Sequence, residues 1–598
     1  MDYRREIDGL RAVAVSAVVA YHADFFAPAG YVGVDVFFTI SGYLITALLL
    51  REHTSTGRIE LVDFYARRAR RILPAVVVVI CAVLCAASLL IPQPYSVFQS
   101  AAAASAFVAN FYFQTTSAGY FHADTGQMPL LHLWSLSVEE QFYLAWPALL
   151  IFLLRFRVPL VPALSAVGVA SFALAEWLMQ QSPSAAFYQM PARMWELAAG
   201  GLVAAMPIRK LTAFSAWMGL SIIVLACCFP LSRFPGIGAL PAVIGAVLLL
   251  SAIHGGAVNA LLSSPPMVRL GLISYSLYLW HWPLLAFDRM LRVGPSPLSA
   301  RLGLVATALV LAFASYRYVE TPLRRPRLSG RRTIAFALVG VTLVSGCAWA
   351  WRGQPPAPAQ LVSLGTDWRC HPYVKGAPSH VQPAYCLRKE QKVIIWGDSH
   401  ALAWAPMASA IGGKLNLPAA SLAMAGCPPL PGATLSLRNP NEAKLCHEWN
   451  VEALSYLKSN GADTVVVVAR WANFIDGDGG KTSATALTNA VASISPYVRR
   501  ILIIGPTPEL PDNTSKCAAL GSDCAVSRTE FESRAAPAWA AIRGLTDPKV
   551  TVSDPSEWLC SGGKCPGIRG GVALYSDTVH VSKYTATVWA NIVAKDWK

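Results

Sequence analysis

The chain has 598 residues, 54% of them hydrophobic and only 14% charged, with a formal charge of +15 and a mean hydropathy of +0.44. Soluble domains carry about 25% charged residues, so an ordinary soluble enzyme is excluded and an integral membrane protein is indicated. The arginines bracket apolar runs and form no basic face on a soluble module, which argues against nucleic acid as a partner.

Apolar runs long enough to cross about 30 Å of hydrocarbon fall at 11–27, 33–50, 72–92, 139–155, 158–178, 192–206, 211–229, 237–254, 268–287, 301–318 and 333–351. The stretch 98–114 is Ala-rich but carries Asn110 and Gln114, so hydropathy leaves it ambiguous. Short cytoplasmic loops concentrate Lys and Arg. Arg4 with Arg5, the cluster of Arg67, Arg68, Arg70 and Arg71, then Arg155 with Arg157, Arg209 with Lys210, and the arginines at 324–332 fall on one side only if 98–114 does not cross. It therefore reads as a re-entrant or surface helix. Eleven crossings from a cytoplasmic N-terminus deliver residues from 352 onward to the outside. A signal peptide in the first span is disfavoured because Arg11 interrupts its apolar stretch.

Ionisable groups inside spans are costly and are functional suspects by default. The first span, "EIDGLRAVAVSAVVAYHAD", opens on Asp8 as a possible helix cap and contains Arg11 and His22. Eleven residues at about 100° each return to nearly the same face, roughly 16 Å along the axis. A snorkelling arginine with an interfacial histidine would leave the same trace. In the second span, Asp35 pairs with a cation, lines a cavity or serves packing. Next, "DFYARRARRILP" holds two overlapping RxxR pairs. Arg68 and Arg71 share a helical face suited to pyrophosphate or a 3′-phosphate, beside the simpler reading as a topogenic cluster. Farther on, "HLWSLSVEEQFYL" places His132, Glu139 and Glu140 at the outer start of a span, and "SYSLYLWHWPLL" places His281 toward an outer end. A histidine near a carboxylate is a candidate general base, and a place in an interfacial aromatic belt is the structural alternative. Glu320 in "YVETPLRR" reads as a salt-bridge or helix-terminus residue.

Together these segments resemble the acyltransferase-3 membrane family. Arg11 and His22 match its R-x10-H motif, Arg68 and Arg71 its RxxR motif, and the stretches around Gly33, Glu139, His281 and Glu320 its recurrent blocks, in order over residues 1 to about 350. The resemblance implies an acyl-CoA donor, acetyl-CoA above all, at the cytoplasmic face near Arg11, Arg68 and Arg71. It also implies a part for His22 in moving the acyl group toward acceptors outside, with Asp35, His132, Glu139 and His281 in support. The doubling in "RRARR" leaves open which RxxR pair is used.

The expected organisation is a membrane domain over 1–330, a final span over 331–352, an extension over 353–390 that opens on the Pro-rich "RGQPPAPAQ", and a second domain over 391–598. In that last region strand-like runs ("KVIIWGDSH", "TVVVVARW", "RRILIIGP", "VTVSD") alternate with helical stretches, one of them around 485–499. Such alternation argues for a doubly wound α/β domain with a parallel sheet. Of thirteen cysteines, eight fall beyond the spans as four local couples: Cys370 with Cys386, Cys427 with Cys446, Cys517 with Cys524, and Cys560 with Cys565. Close couples suggest disulfides and an oxidising compartment. The absence of a zinc-type CxxC pair disfavours a metal site.

In "VIIWGDSHALAW", Ser399 lies where a strand ends and a helix begins. Residues at the carboxyl ends of parallel strands face the ligand crevice. A nucleophilic serine needs a base and an orienting acid, and "SDTVHVSKYTA" supplies Asp577 and His580 three residues apart. A turn in which Asp and Ser merely cap the helix is the alternative. GDSH with a terminal DxxH resembles the SGNH hydrolase family, in the form fused behind acyltransferase-3 domains in bacterial O-acetyltransferases. The resemblance suggests oxyanion donors from the Ser399 amide, from Gly426 in "MAGCPPL" and from Asn473 in "ARWANF"; the usual GxND block is not present, so Arg470 or Trp471 is the alternative. The expectation is a multi-pass bacterial inner-membrane enzyme, held among membrane lipids, with no tightly bound cofactor. It would carry acetyl from acetyl-CoA to a periplasmic or surface carbohydrate: lipopolysaccharide O-antigen, another exopolysaccharide, peptidoglycan or a small glycan. The competing readings are a deacetylase, a glycan transporter, and a glycan-binding module with an inert triad.

Overall fold

The computed structural model describes residues 3–91, 94–116, 126–206, 212–229, 231, 233–252, 256–325, 329–350, 391–432, 440–475, 484–595 and 597. The chain forms two compact units, Met1–Ala357 and Pro358–Lys598.

The first unit is helical: α1 Arg5–His22, α2 Gly33–Thr56, α3 Leu61–Leu90, α4 Tyr95–Ser105, α5 Ala109–Thr116, α6 Leu133–Arg155, α7 Leu160–Gln181, α8 Pro183–Tyr188, α9 Met190–Ala205, α10 Ala213–Cys228, α11 Gly236–Ser251, α12 Ala257–Leu262, α13 Pro265–Leu291, α14 Leu298–Ala314, α15 Thr321–Leu323 and α16 Gly330–Ala350. Among the described residues, six stretches are long and apolar enough to cross a membrane: Gly30–Thr56, Leu61–Leu90, Leu133–Arg155, Leu160–Gln181, Leu298–Leu323 and Gly330–Ala350. Helices α10 and α11 are apolar but shorter. The ambiguous stretch 98–114 is broken into α4, 11 residues long, and α5, 8 residues long, with Phe107 at φ 55° between them. At 1.5 Å per residue, α4 reaches about 16 Å, well short of a bilayer. Asn110 is buried and satisfied inside the bundle, where its amide donates to Tyr188 O at 3.1 Å.

Asp8 is not the cap of α1. The helix begins at Arg5, and the Asp8 carboxylate accepts from Tyr3 at 2.5 Å and from Arg11 at 3.2 Å. Helices α2 and α9 touch backbone to backbone because glycine removes the spacer on each. A Cβ at Gly42 would lie 1.8 Å from Leu197 O, and one at Gly200 1.9 Å from Thr39 O. Small residues at a helix crossing permit this approach.

The second unit is built on a parallel sheet of five strands, β1 Val393–Gly397, β2 Ala419–Ala423, β3 Ala462–Val468, β4 Val498–Ile504 and β6 Val550–Ser553, in the order β2-β1-β3-β4-β6. Two small ribbons pair β5 Val526–Ser527 with β7 Lys564–Cys565, and β8 Ile568–Arg569 with β9 Val572–Ala573. Buried Trp396, Trp404 and Trp471 fill the core. Strand β2, "AASLA", is an element the sequence pattern does not announce, since alanine has little strand preference. The helix expected around 485–499 covers Ala484–Ile494 and stops before β4. Strand order reverses at β1 and β3, the point where doubly wound sheets open a ligand crevice. Disulfides join Cys427 to Cys446, Cys517 to Cys524 and Cys560 to Cys565. Cys370 and Cys386 lie outside the described residues.

Candidate active site

Strand β1 ends on Gly397, where a Cβ would lie 1.8 Å from Val468 O of β3. The next residue, Asp398, caps the helix Ser399–Ala403: one carboxylate oxygen accepts from the His400 amide at 2.8 Å, the other from the Arg470 amide at 2.9 Å. One side chain thus pins the turn after β1 to the turn after β3 and presents Ser399 between them. Ser399 Oγ lies 2.7 Å from His580 Nε2, and His580 Nδ1 lies 2.6 Å from Asp577 Oδ2. A carboxylate only accepts, so Nδ1 carries the proton and Nε2 is left to accept the serine proton. The other Asp577 oxygen accepts from the amides of Val579 at 2.8 Å and His580 at 2.7 Å. Burial opposes the Asp577 charge, but the His580 ring and the two amides outweigh it and hold the carboxyl down at about 2. The His400 ring stands 5.0 Å from that of His580. Burial keeps His400 below its ordinary value, so it adds no positive charge beside the base.

The register pairs Gly397 with Ala423 of β2 and with Val468 of β3. Gly426, at φ 70°, follows β2, and Asn473 lies in the short helix Trp471–Phe474 after β3. The turns bearing Ser399, Gly426 and Asn473 therefore open at one edge of three adjacent strands. Trp471 is spent on the core, donating to Ile504 O at 2.7 Å. The Arg470 guanidinium grips Glu509 through two bonds of 2.7 and 2.8 Å.

In the first unit, Arg11, Arg68, Arg71 and Glu139 line one cavity of about 90 Å³, with Ser41, Tyr143 and Tyr275 beside them and Phe37, Phe38 and Leu44 among its apolar walls. The two RxxR pairs part company here. Arg67 reaches Glu52 at 2.9 Å and Arg70 reaches Thr333 at 3.1 Å, whereas Arg68 and Arg71 turn into the cavity. The Arg68 guanidinium sits 5.6 Å from the Tyr143 ring.

The histidines gather separately. His22, in the last turn of α1, places Nδ1 2.9 Å from His281 Nε2, and His281 Nδ1 lies 3.1 Å from Leu277 O. A carbonyl only accepts, so His281 is protonated on Nδ1 and accepts through Nε2. His22 then donates from Nδ1, which leaves its Nε2 as the unprotonated nitrogen. His132 stands 6.0 Å from the His281 ring. Two arginines clamp the end of α1: Arg289 donates to His22 O at 2.5 Å, and Arg301 to Ala23 O at 2.9 Å and Asp24 O at 2.6 Å.

Two expected members of the histidine group lie elsewhere. Glu139 is seven residues beyond His132, about 10 Å along α6, and accepts from Ser41 and Tyr143 at the arginine cavity. Asp35 faces α9, where it pairs with Arg193 at 2.6 Å. Glu196 lies 3.1 Å from the same guanidinium, and Phe38, Trp134, Phe187 and Phe234 surround it with ring centres at 5.5 to 5.6 Å. All three side chains are buried, so Asp35 is held in an internal ion cluster around the Arg193 guanidinium. Two ionisable residues in the apolar run 192–206 were a signal that sequence reasoning passed over. Tyr278 and Ser135, which also border the cavity, gave none.

Comparison with known proteins agrees with this division. The family described as "Acyltransferase domain" matches residues 4–317, and the "SGNH domain (fused to AT3 domains)" matches 369–595. The peptidoglycan O-acetyltransferase OatA of Listeria monocytogenes is 32% identical over 349 residues, 54% of this chain and 56% of that protein. The O-acetyltransferase OatA of Staphylococcus aureus is 32% identical over 362 residues, 56% of this chain and 59% of that protein. The chain thus spans little more than half the length of the curated relatives it matches. A solved structure, the periplasmic domain of a Salmonella Paratyphi A lipopolysaccharide acetyltransferase, shares 18% identity at a TM-score of 0.30, over 40% of this chain and 93% of that one. With the first match alone covering more than half of its residues, the chain belongs to the acyltransferase-3 family, as a member that carries a fused C-terminal SGNH domain.

Proposed function

We propose that this protein is an O-acetyltransferase that takes acetyl from acetyl-CoA on the cytoplasmic face of the inner membrane and places it on a carbohydrate hydroxyl outside. Arg11, Arg68 and Arg71 hold the donor's phosphates. In the first step the thioester C–S bond breaks as the acyl carbon bonds an imidazole of the histidine cluster, His22 foremost, and the displaced imidazole proton leaves with sulfur as free thiol. Next, Ser399 gives its proton to His580 while Asp577 fixes the tautomer, and its oxygen takes the acyl carbon as the bond to the imidazole or an intervening carrier breaks, the proton passing from His580 to the released group. Amide groups near Gly426 and Asn473 steady the oxyanion. A sugar hydroxyl then displaces the serine and returns its proton through His580.

The observation that carries this reading is the unbroken Ser399–His580–Asp577 line in a chain whose other unit holds an arginine-lined cavity. A deacetylase would need the first and not the second. The disulfides support an oxidising compartment for the second unit, and with the odd number of crossings expected from the sequence this sets the N-terminus in the cytoplasm. The Listeria relative is named for peptidoglycan, which favours a cell-envelope glycan as acceptor, with lipopolysaccharide O-antigen or another surface polysaccharide in the same class. The test is glycan acetylation in cells carrying Ser399→Ala or His22→Ala. Loss in both is expected; normal acetylation in both would refute the enzyme reading in favour of a transporter.

A further inference from the structure

None of His22, His132 and His281 borders the arginine cavity among the described residues, yet the proposed reaction needs an acyl carbon to reach them from it. Tyr278 stands between. It lines the cavity, and its ring lies 5.5 Å from that of His132 and 5.5 Å from that of His281. It sits one helical turn before His281 on α13, so the two side chains share a face. Its hydroxyl donates to His132 O at 2.9 Å and meets Ser135 Oγ at 2.7 Å, which fixes the ring against the start of α6. Phe37, another cavity residue, packs edge-on against it at 6.4 Å. Tyr278 and the three histidines are all buried, so the contact between them lies inside the helical unit.

We propose that Tyr278 is the specificity-determining partition between the donor cavity and the histidine cluster, passing an acetyl group and stopping longer acyl chains. The inference rests on the donor reading above. The step concerned is the transfer already described: the acyl carbon leaves sulfur for an imidazole nitrogen, and the imidazole proton leaves with the thiol. A ring tethered at its hydroxyl has little freedom to swing aside, so the space beside it sets the chain length that can present its carbonyl to the imidazole. Replacing the ring by a methyl group opens that space. Replacing tyrosine by phenylalanine cuts the tether and keeps the volume.

The experiment uses the purified full-length protein with acetyl-CoA or butyryl-CoA and follows thiol release in the first turnover, before selectivity in the second unit enters. Wild type should prefer acetyl-CoA. Tyr278→Ala should raise the butyryl-to-acetyl ratio by about tenfold or more, since each methylene excluded from an apolar site is worth at least about tenfold. Tyr278→Phe, which keeps the ring's volume but frees it from His132 O and Ser135, should raise the ratio in the same direction by less than Tyr278→Ala does. An unchanged ratio in Tyr278→Ala, with acetyl transfer intact, overturns this inference alone. If the alanine variant fails to fold, Tyr278→Leu is read by the same criterion. Loss of both donors in both variants, with folding retained, would make the tyrosine essential to transfer itself and overturn the specificity assignment. Thiol release from neither donor by wild type would instead refute the donor reading on which it rests.

Discussion

Replacing Asp577 by Asn separates catalysis from folding in the second unit. The carboxylate accepts three hydrogen bonds, from the His580 ring and from the amides of Val579 and His580. Asparagine can keep the amide contacts with its carbonyl oxygen, but it then offers an NH2 to His580 Nδ1. The ring answers by moving its proton to Nε2, which can no longer accept from Ser399. A triad in the wrong tautomer loses about 10⁴-fold in rate, or about 5.4 kcal/mol of transition-state stabilisation. The stability cost is much smaller. Asp577 is lowered from 3.8 to about 2, which corresponds to about 2.4 kcal/mol at 1.36 kcal/mol per unit. Its side chain is 43% exposed, and screening brings that down to about 1 kcal/mol. Because the folded value is depressed, this stabilisation is complete above the unfolded value of 3.8 and fades as pH falls toward 2. The assay is release of 4-nitrophenol from its acetate ester by the full-length protein, with thermal melts at pH 7 and pH 3. The variant should melt within a few degrees of wild type at pH 7 and closer still at pH 3, yet lose three to four decades of rate on the scale set by tautomer loss. A variant within tenfold of wild-type rate would refute the assignment of His580 as base.

Arg68→Ala and Arg71→Ala should each raise KM for acetyl-CoA by roughly ten- to a hundredfold, the loss of a hydrogen bond to a charged group. Arg67→Ala and Arg70→Ala, whose partners are Glu52 and Thr333, should change it by less than about threefold; equal effects in all four would refute the division of the two pairs. Asp35→Ala should destabilise the first unit by about 3–5 kcal/mol, because Arg193 would keep its burial and lose its closest partner. Detergent-solubilised yield and melting temperature report the loss, and an unchanged melt contradicts the ion-cluster role. Removing Cys427–Cys446, 19 residues apart, by Cys427→Ser should cost the second unit about 3 kcal/mol, seen as a lower melting temperature of the variant under non-reducing conditions.

The second unit was legible wherever chemistry depends on short spacing. GDSH fixes a strand, a turn and a cap within seven residues, and Asp577 and His580 are near enough in sequence for one loop to present both. Parallel strands rich in Val and Ile were visible as continuous apolar runs, while β2, made of Ala, Ser and Leu, was not. In the first unit, periodicity correctly placed Arg11 and His22 on one helix but not on which neighbour each would lean. Asp35 meets Arg193 across 158 positions of sequence, and Glu139 faces the arginines because of its rotation about α6. Such pairings depend on how helices pack, and helix packing is set by contacts such as Gly42 against Leu197 O that no local pattern announces.

On the proposed function, one acyl group passes from the first unit to Ser399. The most direct test feeds isotopically labelled acetyl-CoA to full-length protein in membrane vesicles without acceptor, quenches in acid, and measures label on the peptide containing Ser399 by mass spectrometry. Labelled Ser399 ester in wild type and none in His22→Ala is the predicted result. Ser399 labelled equally in both would contradict it.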